Sequence, residues 1–149
     1  LIVGIQRGEF GLAIGYDDQP DLKDIRGFYQ TGGGNFWVAH AGGAVIGTVA
    51  LKDIGNGQVA LRKMFVNAAW RGAAHGVAQA LLDTACAWAR GRGIREIILG
   101  TTAKFLAAHR FYEKNGFVEI VADNLPPAFP RMTVDTRFYR RDLTASAAA

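Results

Sequence analysis

The sequence predicts a mixed sheet with helices on its faces, and three observations carry that expectation. Two hairpin signals lie close together in the first half of the chain, the hydrophobic period changes after Val66, and strands and helices alternate from there on. In chain order, Gln19-Pro20-Asp21 opens a short helix reaching Tyr29, with proline or aspartate at its start, where an amide lacks an intrahelical partner anyway. Asn35–Ala41 (NFWVAHA) reads as a strand, Gly42-Gly43 as a turn, and Ala44–Leu51 (AVIGTVAL) as the antiparallel partner. Asn56-Gly57 between two apolar runs is the strongest short hairpin signal, and it leads into a strand at Val59–Val66 (VALRKMFV).

Between Gly72 and Arg90 the apolar residues Val77, Leu81, Ala85, Trp88 and Ala89 recur at helical spacing. Such a helix is about 28 Å long at ~1.5 Å per residue, and Gly91 and Gly93 stop it. Ile94–Thr101 (IREIILGT) follows as a strand rich in β-branched residues, and Lys104–Lys114 as a second helix stopped by Asn115-Gly116. Phe117–Val121 and Met132–Tyr139 are the last expected strands, flanking a loop that contains Pro126, Pro127 and Pro130.

The 149 residues suit one domain, taken as residues 1–143 with an alanine-rich flexible tail at 144–149. Half the residues are hydrophobic and a fifth charged, a globular composition. The single cysteine, Cys86, excludes an internal disulfide framework, and the three histidines show no metal spacing, so no metal is expected. No apolar run approaches the roughly 20 residues of a bilayer span, and Leu1–Ile5 is too short for a signal peptide. The expectation is a soluble cytoplasmic protein with no membrane partner; because it starts without methionine, the numbering can begin inside a longer product. A net charge of +4 favours anionic partners: nucleic acid, a phosphorylated cofactor or an acidic small molecule. The basic residues are scattered and form no recognition motif, so nucleic acid is not expected.

The most informative segment is Val66–Ala78 (VNAAWRGAAHGVA), where a strand ends, a turn of small residues follows and a long helix begins. A helix N-terminus presents unpaired N–H groups and the positive end of the macrodipole, and small residues let an anion approach closely. A strand–helix connection that needs glycine only for packing accounts equally well for the turn taken alone. The spacing fits neither the GxxxxGK[ST] phosphate loop nor the G-x-G-x-x-G dinucleotide fingerprint.

The run V-x-x-x-W-R-G-x-x-x-G-V-A-x-x-L-L at Val66–Leu82 resembles the acyl-CoA loop of the GNAT superfamily of N-acetyltransferases. That loop reads Gln/Arg-x-x-Gly-x-Gly/Ala; Arg71 and Gly76 match it, and Ala74 replaces the first glycine. The run Ala107-Ala108-His109-Arg110-Phe111-Tyr112-Glu113-Lys114-Asn115-Gly116-Phe117 is similar to the second hallmark, A-x-x-F-Y-x-x-x-G-F. The two lie at the family's usual separation with one strand between them.

The resemblance implies an α/β (α+β) fold with a mixed, mostly antiparallel sheet of six to seven strands flanked by helices. It implies acetyl-CoA as co-substrate, a small-molecule or peptide amine as acceptor, and a homodimer as found among relatives. Met64, Phe65 and Val66 would pair with the pantetheine arm like an added strand. Amides of Arg71, Gly72, Ala73, Ala74, His75 and Gly76 would cradle the pyrophosphate, with Val77 and Ala78 opening the helix. Tyr112 is the catalytic residue by this resemblance, a phenol able to protonate the leaving thiolate; a core aromatic beside Phe111 is the plain alternative. Ala108, one turn earlier on the same face, leaves room for the pantetheine. Phe105 stands where many members carry a cofactor-binding asparagine.

The general base is unassigned, since Ala60 occupies the position where some members carry glutamate; Glu9 and Asp53 are outside candidates. Arg62 and Lys63 are expected on opposite faces of their strand, one available to a substrate carboxylate or simply solvated. Asn35, Phe36 and Trp37 either line the acceptor cleft or pack, and the segments Tyr16–Tyr29 and Pro126–Arg131 frame it by analogy. His75 sits in the loop, His109 is expected to be solvated, His40 lies near a strand end, and Cys86 is expected buried and inert. A non-catalytic acyl-CoA-binding or regulatory module on the same fold is the second reading.

Overall fold

The computed structural model describes residues 1–6, 15–72, 74–103, 106–132 and 134–144. A helical turn α1 (Ile2–Gly4) and 3-10 turns at Tyr16–Asp18 and Pro20–Lys23 precede α2 (Ile25–Phe28). The single helix expected from Asp21 to Tyr29 is therefore broken. Asp24 leaves helical geometry and caps the second piece, its side chain accepting Gly27 N–H at 3.0 Å. Strands β1 (Asn35–Ala41), β2 (Ala44–Gly55) and β3 (Gln58–Val66) form an antiparallel meander. The Asn56-Gly57 turn has both residues at positive φ, 57° and 72°, which is the backbone that a two-residue hairpin requires.

Helix α3 (Val77–Gly91) begins five residues later than the expected Gly72, because the amides of His75 and Gly76 turn back to the Gly72 carbonyl. It leads to β4 (Glu96–Thr101), α4 (described from Leu106 to Lys114), β5 (Val118–Ile120) and β6 (Arg137–Asp142). The six described strands are ordered β1-β2-β3-β4-β6-β5, with β3–β4 the parallel pair and the rest antiparallel. The strand expected at Met132–Tyr139 is displaced. Asp135 N–H bonds back to the Met132 carbonyl at 3.0 Å, and pairing with β4 starts only at Arg137.

Alternation along the strands sets the two faces. Val49, Leu51, Val59, Leu61, Ile97 and Leu99 join one cluster with Leu81, Leu82, Ala85, Cys86 and Ala89 of α3 and Tyr112 of α4. Leu82 is fully buried there, worth about 1.5–3 kcal/mol for one such side chain. Cys86 is buried as expected, and burial pushes its thiol pKa up. Ala50, Ala60 and Ile98 are the buried residues at the alternate positions of these strands. Trp37 packs edge-on against Trp88 at 5.9 Å and Phe36 against Tyr29 at 5.6 Å, while Asn35 accepts a bond from Gln30. These three residues pack rather than line a cleft. Among the described residues no helix is long and apolar enough to cross a membrane.

Candidate active site

Two irregularities of β3 create the site. Its pairing with β4 ends at Ala60–Ile98, so Leu61–Val66 runs on without β4 beside it. On its other side, Thr48 pairs with Phe65 and Ala50 with Arg62, so Lys63 and Met64 together oppose Val49. This is a β-bulge, with Lys63 at φ 55°, its carbonyl accepting the Thr48 hydroxyl at 2.7 Å. A bulge re-aims a side chain. Lys63 consequently turns inward to Asp21 and Gln19, while Arg62 lies over the Phe28 ring at 5.6 Å. Arg62 and Lys63, expected on opposite faces with one of them at the acceptor site or in solvent, both line the cleft described next, and Lys63 is buried.

Where β3 and β4 part, a cleft of about 1130 Å³ opens. Met64, Phe65, Val66, Arg71, Gly72, Gly76, Ala78, Ala108 and Tyr112 all line it, so most of the residues singled out in the sequence meet in one place. Ala74, His75 and Val77 do not line it. Val77 packs against Gly47 of β2, where an added β-carbon would sit 3.1 Å from Val77 Cγ1, and His75 lies on the exposed Trp70 ring at 5.3 Å. Ala73, Phe105 and Glu9 lie outside the described residues.

At the loop end, His75 and Gly76 N–H both point to the Gly72 carbonyl (3.2 and 3.3 Å), and Arg71 N–H to Ala68. The amide supply thus shifts toward the helix itself. Its first hydrogen bond is Ala80 N–H to Gly76 at 3.0 Å, so the amides of Val77, Ala78 and Gln79 precede the ladder. Gly76, at φ 66°, lets the chain enter the helix from a left-handed conformation. Arg71 Nε donates to the Val66 carbonyl at 2.8 Å, tying the loop to the strand end. Arg110 and Lys114, one turn apart on α4, also line this end; no sequence signal beyond their helical spacing marks them. With Arg62 and Lys63, five cations face the cleft against two acids, Asp83 and Asp135, a balance that suits an elongated anion.

Tyr112 is buried among the rings of Phe111, Phe117 and Tyr139, and burial raises its pKa well above the ordinary tyrosine value. No described residue hydrogen-bonds its hydroxyl, and among the described residues no buried side-chain oxygen or nitrogen lacks a partner; the hydroxyl therefore reaches the cleft surface. His109, one turn ahead of Glu113, is buried rather than solvated as expected. Arg137 donates to its Nδ1 at 2.9 Å, which assigns the proton to Nε2, bonded to the Thr102 carbonyl at 2.9 Å.

The other end is lined by Gln6, Arg62, Lys63, Gly100, Met132 and Asp135, with Phe129 and Pro130 from the proline loop. No residue of Tyr16–Tyr29 lines it directly; that segment supports it from behind. Lys63 Nζ lies 3.4 Å from Asp21 and donates to Gln19, Tyr29 donates to Asp21, and Gln19 donates to Gln6 at 2.9 Å. Burial lowers the Lys63 pKa, opposed by the Asp21 charge. Asp53 is no part of the cleft: its carboxylate accepts Gly33 and Gly55 N–H at 2.7 and 2.8 Å, a loop-holding role. Asp135, which the sequence reading missed, has its pKa raised by burial. Among the described residues no cluster of three potential ligands holds a metal geometry.

Comparison with known proteins agrees with this architecture. The family model of the GNAT acetyltransferase domain matches residues 32–119. An acetyltransferase of GNAT family from Staphylococcus aureus Mu50 superposes with a TM-score of 0.91 and is 41% identical, covering 95% of this chain and 88% of that one. An acetyltransferase from Streptococcus agalactiae 2603 gives a TM-score of 0.90 at 31% identity, over 95% of this chain and 87% of the other. The N-acetylaspartate synthetase of Xenopus tropicalis is 36% identical over 128 residues, 82% of this chain and 46% of that protein. The chain thus spans about half the length of the curated relatives it matches. With more than half of its length matched by the family model and the whole sheet superposed on a member, the chain belongs to the GNAT acetyltransferase family.

Proposed function

We propose that this chain transfers an acetyl group from acetyl-CoA to a primary amine by direct attack on the thioester. The observation that carries this reading is the parting of β3 from β4 over the start of α3, with Tyr112 inside the same cleft. The donor set fits the co-substrate. The stretch Met64–Val66, which runs on past the last β4 pair, suits an amide-bearing arm, as an added strand does. The amides of Ala78 and Gln79, with Arg71, Arg110 and Lys114 around them, suit a diphosphate. Ala78 and Ala108 leave the narrow part of the cleft open.

Tyr112 serves the leaving sulfur. A thiol ionises near 8.5, well below this tyrosine, so complete proton transfer from phenol to thiolate is uphill. Its role is to donate a hydrogen bond to the departing sulfur, and it stays protonated across the neutral range to do so. At the other end Arg62 offers a guanidinium whose partners among the described residues are weak, the Met132 sulfur at 3.4 Å and the Phe28 ring. It suits an acceptor that carries a carboxylate, in keeping with the relative named an N-acetylaspartate synthetase.

Isothermal titration with acetyl-CoA, followed by thiol release over a panel of amines with L-aspartate included, tests the reading. Micromolar-range binding with amine-dependent release is expected. Absence of binding overturns the co-substrate assignment, and binding without release favours a non-catalytic acyl-CoA module.

A further inference from the structure

Most primary amines are protonated at neutral pH, since an unperturbed alkylamine titrates near 10.4, and an ammonium cannot attack a thioester. A proton acceptor in the cleft removes that obstacle, and the carboxylates in and around the cleft narrow to one. Asp21 is buried against Lys63 and Tyr29, Asp53 holds the Gly33 and Gly55 amides, and Asp83 on α3 accepts a bond from Gln79 at the loop end.

Asp135 is placed differently. Its Oδ2 accepts Met132 N–H at 2.9 Å, and a β-carbon on Gly100 would fall 2.5 Å from that oxygen, so the carboxylate lies against the β4 backbone. Gly100 is two residues beyond Ile98, where β4 leaves β3 and the cleft opens. Among the described residues no donor reaches Oδ1, and the cations that act on the carboxylate, Arg62, Lys63 and Arg131, stay beyond salt-bridge distance. A half-buried carboxylate with one fixed and one open oxygen thus faces the point of divergence.

We propose that Asp135 receives the acceptor's ammonium group and takes the proton that the nitrogen must lose before it attacks. This rests on the acetyltransferase reading above. The proton shifts from nitrogen to Oδ1, a transfer uphill in itself that is drawn forward as the freed lone pair forms the C–N bond to the acetyl carbon. The C–S bond breaks and sulfur leaves with the electron pair. A second N–H proton is lost as the amide forms and ends on sulfur, while the first passes from Asp135 to water. Burial raises the Asp135 pKa, against Met132 N–H and the charges of Arg62, Arg131 and Lys63, which makes the carboxylate a better base.

The test compares Asp135→Asn with the native chain, using acetyl-CoA with L-aspartate and acetyl-CoA with hydroxylamine, a nucleophile already neutral at pH 7. If the native chain leaves L-aspartate unreacted, methylamine replaces it, since its ammonium makes the same demand. The variant is expected to lose about 10²- to 10³-fold in kcat/KM for the protonated amine, to keep hydroxylamine turnover within about twofold, and to bind acetyl-CoA unchanged. Its rate should climb about tenfold per pH unit with the neutral amine fraction, closing the gap toward alkaline pH, whereas the native profile is flat across neutrality. Asp135→Glu should restore the flat profile. Equal loss with both nucleophiles, or no loss with either, overturns the proposal. A native chain that binds acetyl-CoA yet releases no thiol with any of them overturns the transferase reading and this role together.

Discussion

At one end of the cleft the chain offers backbone: the amides ahead of Ala80, the part of β3 that runs on past β4, and the small residues Gly72, Gly76 and Ala78 that keep the approach open. At the other end it offers side chains, with Arg62, Lys63 and Gln6 held by partners far away in the sequence and Asp135 by the Met132 amide beside it. A backbone site tolerates changes of side chain and is sensitive to changes of conformation. A site built from buried charges behaves the other way round, because each charge depends on a named neighbour.

The largest effect that separates the two ends should come from Lys63→Met. It leaves Asp21 buried without its cation, and about 3–5 kcal/mol of stability should disappear in urea unfolding. Adding Asp21→Asn should recover part of that loss; a double variant no better than the single one would show that the pair is not what holds the acceptor end. Next, Tyr112→Phe, at the junction of the two ends, should lower kcat by about 10²- to 10³-fold, with acetyl-CoA affinity unchanged in calorimetry. Unchanged turnover across the pH range would return Tyr112 to the core as a packing aromatic.

At the loop end Gly76→Ala is expected to cost about 1–2 kcal/mol, read as a roughly tenfold weaker affinity for acetyl-CoA. An added β-carbon meets nothing within 4 Å there, so the whole cost is the φ of 66°. Smallest of all, His75→Ala should change stability by no more than about 0.5 kcal/mol and leave acetyl-CoA affinity intact, because its ring is exposed. A large loss from His75→Ala would blur the distinction between a backbone end and a side-chain end.

The same division explains what was readable in advance. The Asn56-Gly57 hairpin, the apolar face of α3, the Asn115-Gly116 stop and the small residues from Arg71 to Ala78 are local signals, each set by residues within a turn or two. They bring the loop, the strand edge and Tyr112 together. The inward turn of Lys63 has no local signal, because the bulge that aims it depends on the register of β2 and its partner Gln19 lies 44 positions away. The burial of His109 lacks a local signal for the same reason. Its burial is satisfied by Arg137, 28 positions on, in a strand whose own start was misplaced. Asp135 was passed over because Met132–Asp135 reads as strand, and only the pairing of β6 with β4 leaves Asp135 N–H free to bond back to Met132.

By itself the sequence determined the elements, their order and the backbone end of the site, since hydrophobic period, glycine and turn chemistry act over a few residues. The tertiary structure alone decided which charges are buried, which carboxylate is open and where β3 leaves β4. Those outcomes depend on pairing register and on desolvation, and both belong to contacts between distant parts of the chain.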